Sequence, residues 1–183
     1  MQPDAKKLIA YTSVAHMGFV ALGIFALTVQ GVQGALLVMV SHGVATGAMF
    51  LLVGMLYERR HTRRIADFGG LAAVMPAFAT LFLVTALTSI GLPGTSGFAG
   101  EFLALLGTFE THPWVAALGV LGVIVAAVYM LPMVQRIWFG PLDKPENRVL
   151  PDLGRRELAV LLPLVAVMVG LGVYPKPLLE RTE

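Results

Sequence analysis

Three residues that can take up and release a proton lie inside long apolar runs of this sequence: His16, His42 and Glu101. Glu101 is the only acid between Asp67 and Glu110. Histidine exchanges a proton near neutral pH, and an ionisable residue within a membrane span is costly to keep, so it is read by default as part of an ion or proton pathway. Counted from the ends of their segments at about 1.5 Å per residue, each lies roughly 12–14 Å in. The three are therefore expected near the bilayer middle, as a row of titratable groups across the membrane plane. Such a row suits a proton relay. The competing meaning of a histidine in a span is a structural hydrogen bond between helices, and it applies most readily to His16. His42 has Ser41 beside it and Gly43 and Gly47 after it, a glycine pair read here as close packing within a bundle.

The elements that position these residues follow from hydropathy. The chain is 57% hydrophobic and 13% charged, with a mean hydropathy of +0.80, values that belong to integral membrane proteins. Five apolar segments are long enough to span: about 8–28, 33–57, 74–109, 115–138 and 158–173. The expected fold is an all-α polytopic membrane bundle forming a single transmembrane domain over residues 1–183, with a turn at 29–34 between the first two spans.

The third segment is too long for one helix. An unbroken helix over 76–109 would measure about 50 Å, against a hydrocarbon core of about 30 Å. Gly91, Pro93, Gly94 and Gly97 lie in its middle, and they predict a discontinuity over 91–97. Pro93 lacks an N–H, and glycine accepts conformations that other residues resist. Non-helical backbone at membrane depth needs protein or a water-filled cavity to receive its polar groups. Glu101 follows directly.

Several chemistries are excluded or disfavoured. There is no cysteine, so disulfides, thiolate metal sites and cysteine nucleophiles are absent. No two histidines share a helix at metal-ligand spacing, and no metal is expected. The glycines at 91–100 follow no strand, which rules out a phosphate-binding loop. The formal charge of +2 gives no reason to expect a nucleic-acid partner. No set of catalytic side chains is present. Charge is distributed unevenly: with five spans, the basic residues of the N-terminus, of the 58–64 run and of the 140–156 loop fall on one side. Only Lys176 and Arg181 fall on the other. The positive-inside rule then places the N-terminus and basic loops in the cytoplasm and the C-terminus outside. The 58–64 run is read as a topology anchor, with acidic lipid headgroups or a partner subunit as its other possible ligands. Trp114 is placed as an interfacial aromatic, and Pro132 is expected to kink the fourth span.

Several runs together carry a resemblance. They are KKLIAYTSVAHMG at 6–18, SHG at 41–43, MFLLVGMLYERRHTR at 49–63, GG at 69–70, LPGTSGFAGEF at 92–102 and YPKP at 174–177. The sequence resembles the subunit M (chain 4) type of antiporter-like subunit in the proton-pumping NADH:quinone oxidoreductase, respiratory complex I. The LYERRHTR run at 56–63 is the most specific part. The resemblance implies a fourteen-helix subunit of which these are the last five helices, the broken span being the discontinuous twelfth. It implies that Glu101 is the acidic residue at the outer end of the proton path, that His42 belongs to the central hydrophilic axis and that His16 is a nearby histidine. It also implies a bacterial cell-membrane location, sister membrane subunits as partners and surrounding lipid. NADH and quinone would be bound by other subunits, and this chain would hold no redox cofactor. The family's buried glutamate and two buried lysines, which come earlier in its chain, are not matched here, so the sequence is expected to be a fragment that does not pump alone. Two other functions are weighed. A subunit of a multisubunit sodium/proton antiporter would show sodium-dependent transport. A structural membrane scaffold would tolerate glutamine at Glu101.

Overall fold

Among the described residues six long helices form because long apolar stretches can satisfy their backbone groups only internally, and a seventh, short one follows them. In a computed structural model that describes residues 2–180, they are α1 (Ala5–Phe25), α2 (Val29–Arg60), α3 (Pro76–Ile90), α4 (Ser96–Thr111), α5 (Pro113–Trp138), α6 (Arg155–Val173) and α7 (Lys176–Leu179). Met1 and Arg181 lie outside the described residues. Among the described residues there is no strand, only an isolated antiparallel bridge between Asp4 and Arg64. α1, α2, α5 and α6 are each long and apolar enough to cross a membrane. α3 and α4 are shorter and make the fifth crossing together. α3 starts beside Asp152 of the 139–154 loop, whose carboxylate accepts from Ala77 and Phe78 N–H at 3.0 and 2.9 Å. α4 finishes beside the opposite turn, where Thr111 reaches the Ala26 carbonyl.

The basic loops meet at one end. The Ala5 N–H donates to the Arg63 carbonyl at 2.9 Å, and Lys144 donates to the Ala66 carbonyl. Arg59 grips Glu157 with two bonds of 2.7 and 2.6 Å, and Arg60 donates to the fully buried Asn147 at 2.8 Å. Beneath this layer Trp138, Phe78, Phe82, Leu71, Met75 and Met133 form the main apolar core.

Two boundaries and one packing assignment differ from the sequence reading. The turn expected at 29–34 belongs to α2. The chain instead reverses at Ala26, Leu27 and Thr28, with Leu27 at φ 54° and the Thr28 hydroxyl accepting from Gly31 N–H at 3.0 Å as the cap. The glycines that suggested a turn are packing positions: a Cβ on Gly34 would strike the Ala104 backbone, and one on Gly107 would strike Gly31. Small residues let two membrane helices approach this closely. Gly97, assigned above to the discontinuity, is likewise helical. The break spans only Gly91–Thr95, and the missing side chain of Gly97 admits the Thr88 carbonyl. Gly43 and Gly47, read as close packing, face open space in this chain. The close-packed seam lies elsewhere on α2, at Gly31, Gly34 and Val38 against Gly107, Ala104 and Gly100 of α4. α5 continues through Pro132 to Trp138. Trp114 is 86% exposed at the end away from the basic loops.

Candidate functional site

The break is built from local chemistry. α3 ends at Gly91, whose φ of 82° is open to glycine at little cost, and its N–H bonds back to the carbonyls of Leu87 and Thr88. Leu92 N–H reaches the Leu87 carbonyl at 3.0 Å, completing a two-bond helix stop. Pro93 then prevents continuation, Gly94 takes φ 90°, and Thr95 starts the next helix in an extended conformation. Thr95 satisfies its own hydroxyl on the Leu92 carbonyl at 2.6 Å.

Glu101 emerges between one and two turns into α4 and is 5% exposed. Its Oε1 lies 2.9 Å from Nδ1 of His16 on α1, itself 7% exposed, in a buried contact between residues 85 apart in sequence. Its other oxygen lies against Gly91, close enough that a Cβ there would come within 2.9 Å. Gly91 thus ends α3 and also makes room for the carboxylate. The His42 ring on α2 stands 5.6 Å from that of His16, centre to centre, and its buried Nε2 has no hydrogen-bond partner among the described residues. The three residues singled out from the sequence therefore come together from three helices.

The structure adds hydroxyls to this group. Ser41 and Ser96 share a buried hydrogen bond of 2.8 Å, tying α2 to the first residue of α4. Thr46 lies one turn beyond His42, its buried hydroxyl without a partner among the described residues. A cavity of about 10 Å³ is bounded by His16, His42, Glu101, Ser41, Thr46 and Ser89, among others. That volume is near the minimum for one water. Thr46 was detectable in the sequence as the i+4 neighbour of His42. Ser89 and Ser96 were not; Ser96 meets Ser41 of α2 only once the break has started α4 at that residue.

Histidine, carboxylate and hydroxyl groups around one small cavity can hold and pass a proton, since each can donate or accept depending on its state. His61 and His112 stay outside this cluster, exposed at helix ends. Among the described residues no group of three or more His, Cys, Asp or Glu is placed to hold a metal ion.

Known proteins are similar to this chain in sequence and fold. A family model described as the NADH:quinone oxidoreductase/Mrp antiporter transmembrane region matches residues 1–128. NADH-quinone oxidoreductase subunit M of Rhodobacter capsulatus is 53% identical over 174 residues, which cover 95% of this chain and 34% of that protein. A chain of the respiratory complex I structure from Thermus thermophilus with bound NADH superposes with a TM-score of 0.90 at 40% identity, covering 99% of this chain and 39% of the other. The Mrp complex from Dietzia sp. DQ12-45-1b contains a chain with the same fold, at a TM-score of 0.83, 22% identity and 95% and 40% coverage. The chain spans about a third of the length of the curated relatives it matches, 34–36% for the first three. With a family match over more than half its length, it belongs to the NADH:quinone oxidoreductase/Mrp antiporter transmembrane family.

Proposed function

We propose that this chain is a proton-translocating part of a complex I subunit M, in which His16 and Glu101 share a proton and His42 extends the relay. The observation that carries this reading is the buried 2.9 Å contact between His16 Nδ1 and Glu101 Oε1 beside a helix break. A proton on the Glu101 carboxyl moves to His16 along this contact, converting a neutral pair into carboxylate and imidazolium, and the reverse transfer resets it. His42 lines the neighbouring cavity and its unpartnered Nε2 is the next acceptor, reached through a water-sized carrier or the hydroxyls of Ser41 and Thr46. In low dielectric such transfers respond strongly to nearby charge, which gives distant redox chemistry a means of driving them.

The chain works as one transmembrane unit of a longer, fourteen-helix antiporter-like subunit. Other membrane subunits of complex I are its partners, NADH and quinone react elsewhere, and it carries no redox cofactor. Its location is the bacterial cell membrane. The one-sided placement of basic loops supports a cytoplasmic N-terminus and an outer C-terminus.

The test uses the full-length subunit in its assembly, in sealed membrane vesicles, with Glu101→Gln. NADH oxidation and proton uptake are followed together, with and without sodium. Loss of proton uptake regardless of sodium is the expected result. Unimpaired NADH-driven uptake removes Glu101 from the path, and selective loss of sodium/proton exchange replaces this reading with an antiporter.

A further inference from the structure

The basic run that follows the second span divides into two halves with different partners. Arg59 and Arg60 are consumed inside the protein by Glu157, Asn147 and Glu146. Arg63 is not. Its guanidinium lies 4.8 Å over the Tyr57 ring, and it has no carboxylate partner among the described residues. Lys6, on the first turn of α1, is exposed and also without an ion pair among the described residues. The two cations are held near each other because the chain after α2 is stitched to the start of α1: Ala5 N–H to the Arg63 carbonyl and Ile65 N–H to the Pro3 carbonyl, both at 2.9 Å.

Lys6, Arg63 and Tyr57 form the mouth of a groove of about 400 Å³ that continues over Phe50, Val53 and Gly54. Those four α2 positions are spaced i, i+3, i+4 and i+7, so they make one stripe down the helix. From Tyr57 to Phe50 the stripe descends about 10 Å towards the middle of the bundle. The site is therefore cationic at its membrane-surface end and apolar below. A free phosphate would use only the mouth, and an apolar peptide would leave two cations unpaired. A phosphodiester headgroup with acyl chains satisfies both halves, and cations at a membrane surface attract anionic lipid.

The geometry points to a binding site for one anionic phospholipid, its phosphate between Lys6 and Arg63 and an acyl chain along Phe50, Val53 and Gly54. Gly54 gives a way to block it, because a Cβ there meets nothing within 4 Å, so a side chain at this groove-lining position starts into open space.

The test is native mass spectrometry of the purified membrane assembly carrying the full-length chain, titrated with phosphatidylglycerol and separately with phosphatidylcholine. Lys6→Gln and Arg63→Gln are each expected to weaken phosphatidylglycerol binding about 5-fold, and the double variant about 30-fold. Phosphatidylcholine binding should not respond to these charges. Gly54→Leu should abolish the site, whereas Lys7→Gln, one residue away but outside the groove, should leave it intact. Four results overturn the proposal: equal phosphatidylglycerol binding in all variants; a loss with Lys7→Gln as large as with Lys6→Gln; competition by inorganic phosphate at equal concentration; or efficient cross-linking of Gly54→Cys to another polypeptide segment, which would show the groove filled by protein.

Discussion

Glu101 and Glu157 both face a basic side chain within the helix bundle, and they are held in opposite ways. Glu157 takes two bonds from the Arg59 guanidinium and a third from Gly154 N–H. Arg59 spends its remaining donors on the carbonyls of Met55, Pro151 and Asp152 and lies 5.5 Å over the Phe78 ring. Every group in that pair is occupied, and the result is a clamp between α2, α6 and the basic loops. Glu101 has one protein hydrogen bond among the described residues, to a histidine whose own protonation can change, and its second oxygen rests against a glycine. A pair with permanent charge and saturated partners fixes structure. An exchangeable, under-saturated pair beside a small polar cavity suits the proposed proton transfer.

The contrast extends to packing. The basic end is filled by Trp138, Phe78 and Phe82, large side chains locked against one another. Around Glu101 the helices approach through glycine and alanine, and position is set by backbone against backbone. Small residues bring α4 close enough for Ser96 to reach Ser41 and for Glu101 to reach His16.

Breaking the clamp should have the largest effect on stability. Arg59→Ala leaves Glu157 without its partner and should cost about 3 kcal/mol, read as a lower thermal midpoint of the purified subunit in detergent. A loss below about 0.5 kcal/mol would mean that the clamp is ornamental, as surface pairs are. Next comes the glycine seam. Gly34→Ala puts a methyl into the Ala104 backbone and should cost about 1–3 kcal/mol by the same measurement. Third, Ser41→Ala and Ser96→Ala each remove the same buried bond and should cost about 1 kcal/mol, with the double variant well short of the sum. Full additivity would mean that the two hydroxyls do not act together. The smallest effect belongs to Gly43→Ala, which meets open space and should change stability by no more than about 0.5 kcal/mol. A large loss there would reveal a contact made by another part of the longer subunit.

Much of this was legible in the sequence, for physical reasons. Hydropathy runs set the spans, because lipid demands them. Pro93 with Gly91 and Gly94 announced the break, because few residues stop a helix so firmly. His16, His42 and Glu101 stood out because titratable groups are rare in apolar runs. What escaped depends on partners distant in the chain. Gly31 and Gly34 have the local composition of a turn and become helical only because α4 lies against them. Gly97 is helical, its missing side chain making room for the Thr88 carbonyl across the break, and the pairing of Ser41 with Ser96 across 55 residues leaves no local mark. Arg59 and Arg63, four residues apart in one basic run, look alike until the fold gives Glu157 to the first and an open groove to the second.

The central claim is that His16 and Glu101 exchange a proton as a unit. It is tested most directly by a double-substitution cycle on proton uptake in sealed vesicles that contain the full-length subunit in its assembly, using His16→Gln, Glu101→Gln and both together. The account predicts that each single variant loses most NADH-driven proton uptake and that the double variant is no worse, because either change already breaks the shared step. Normal uptake in Glu101→Gln, or losses that simply multiply in the double variant, would contradict it.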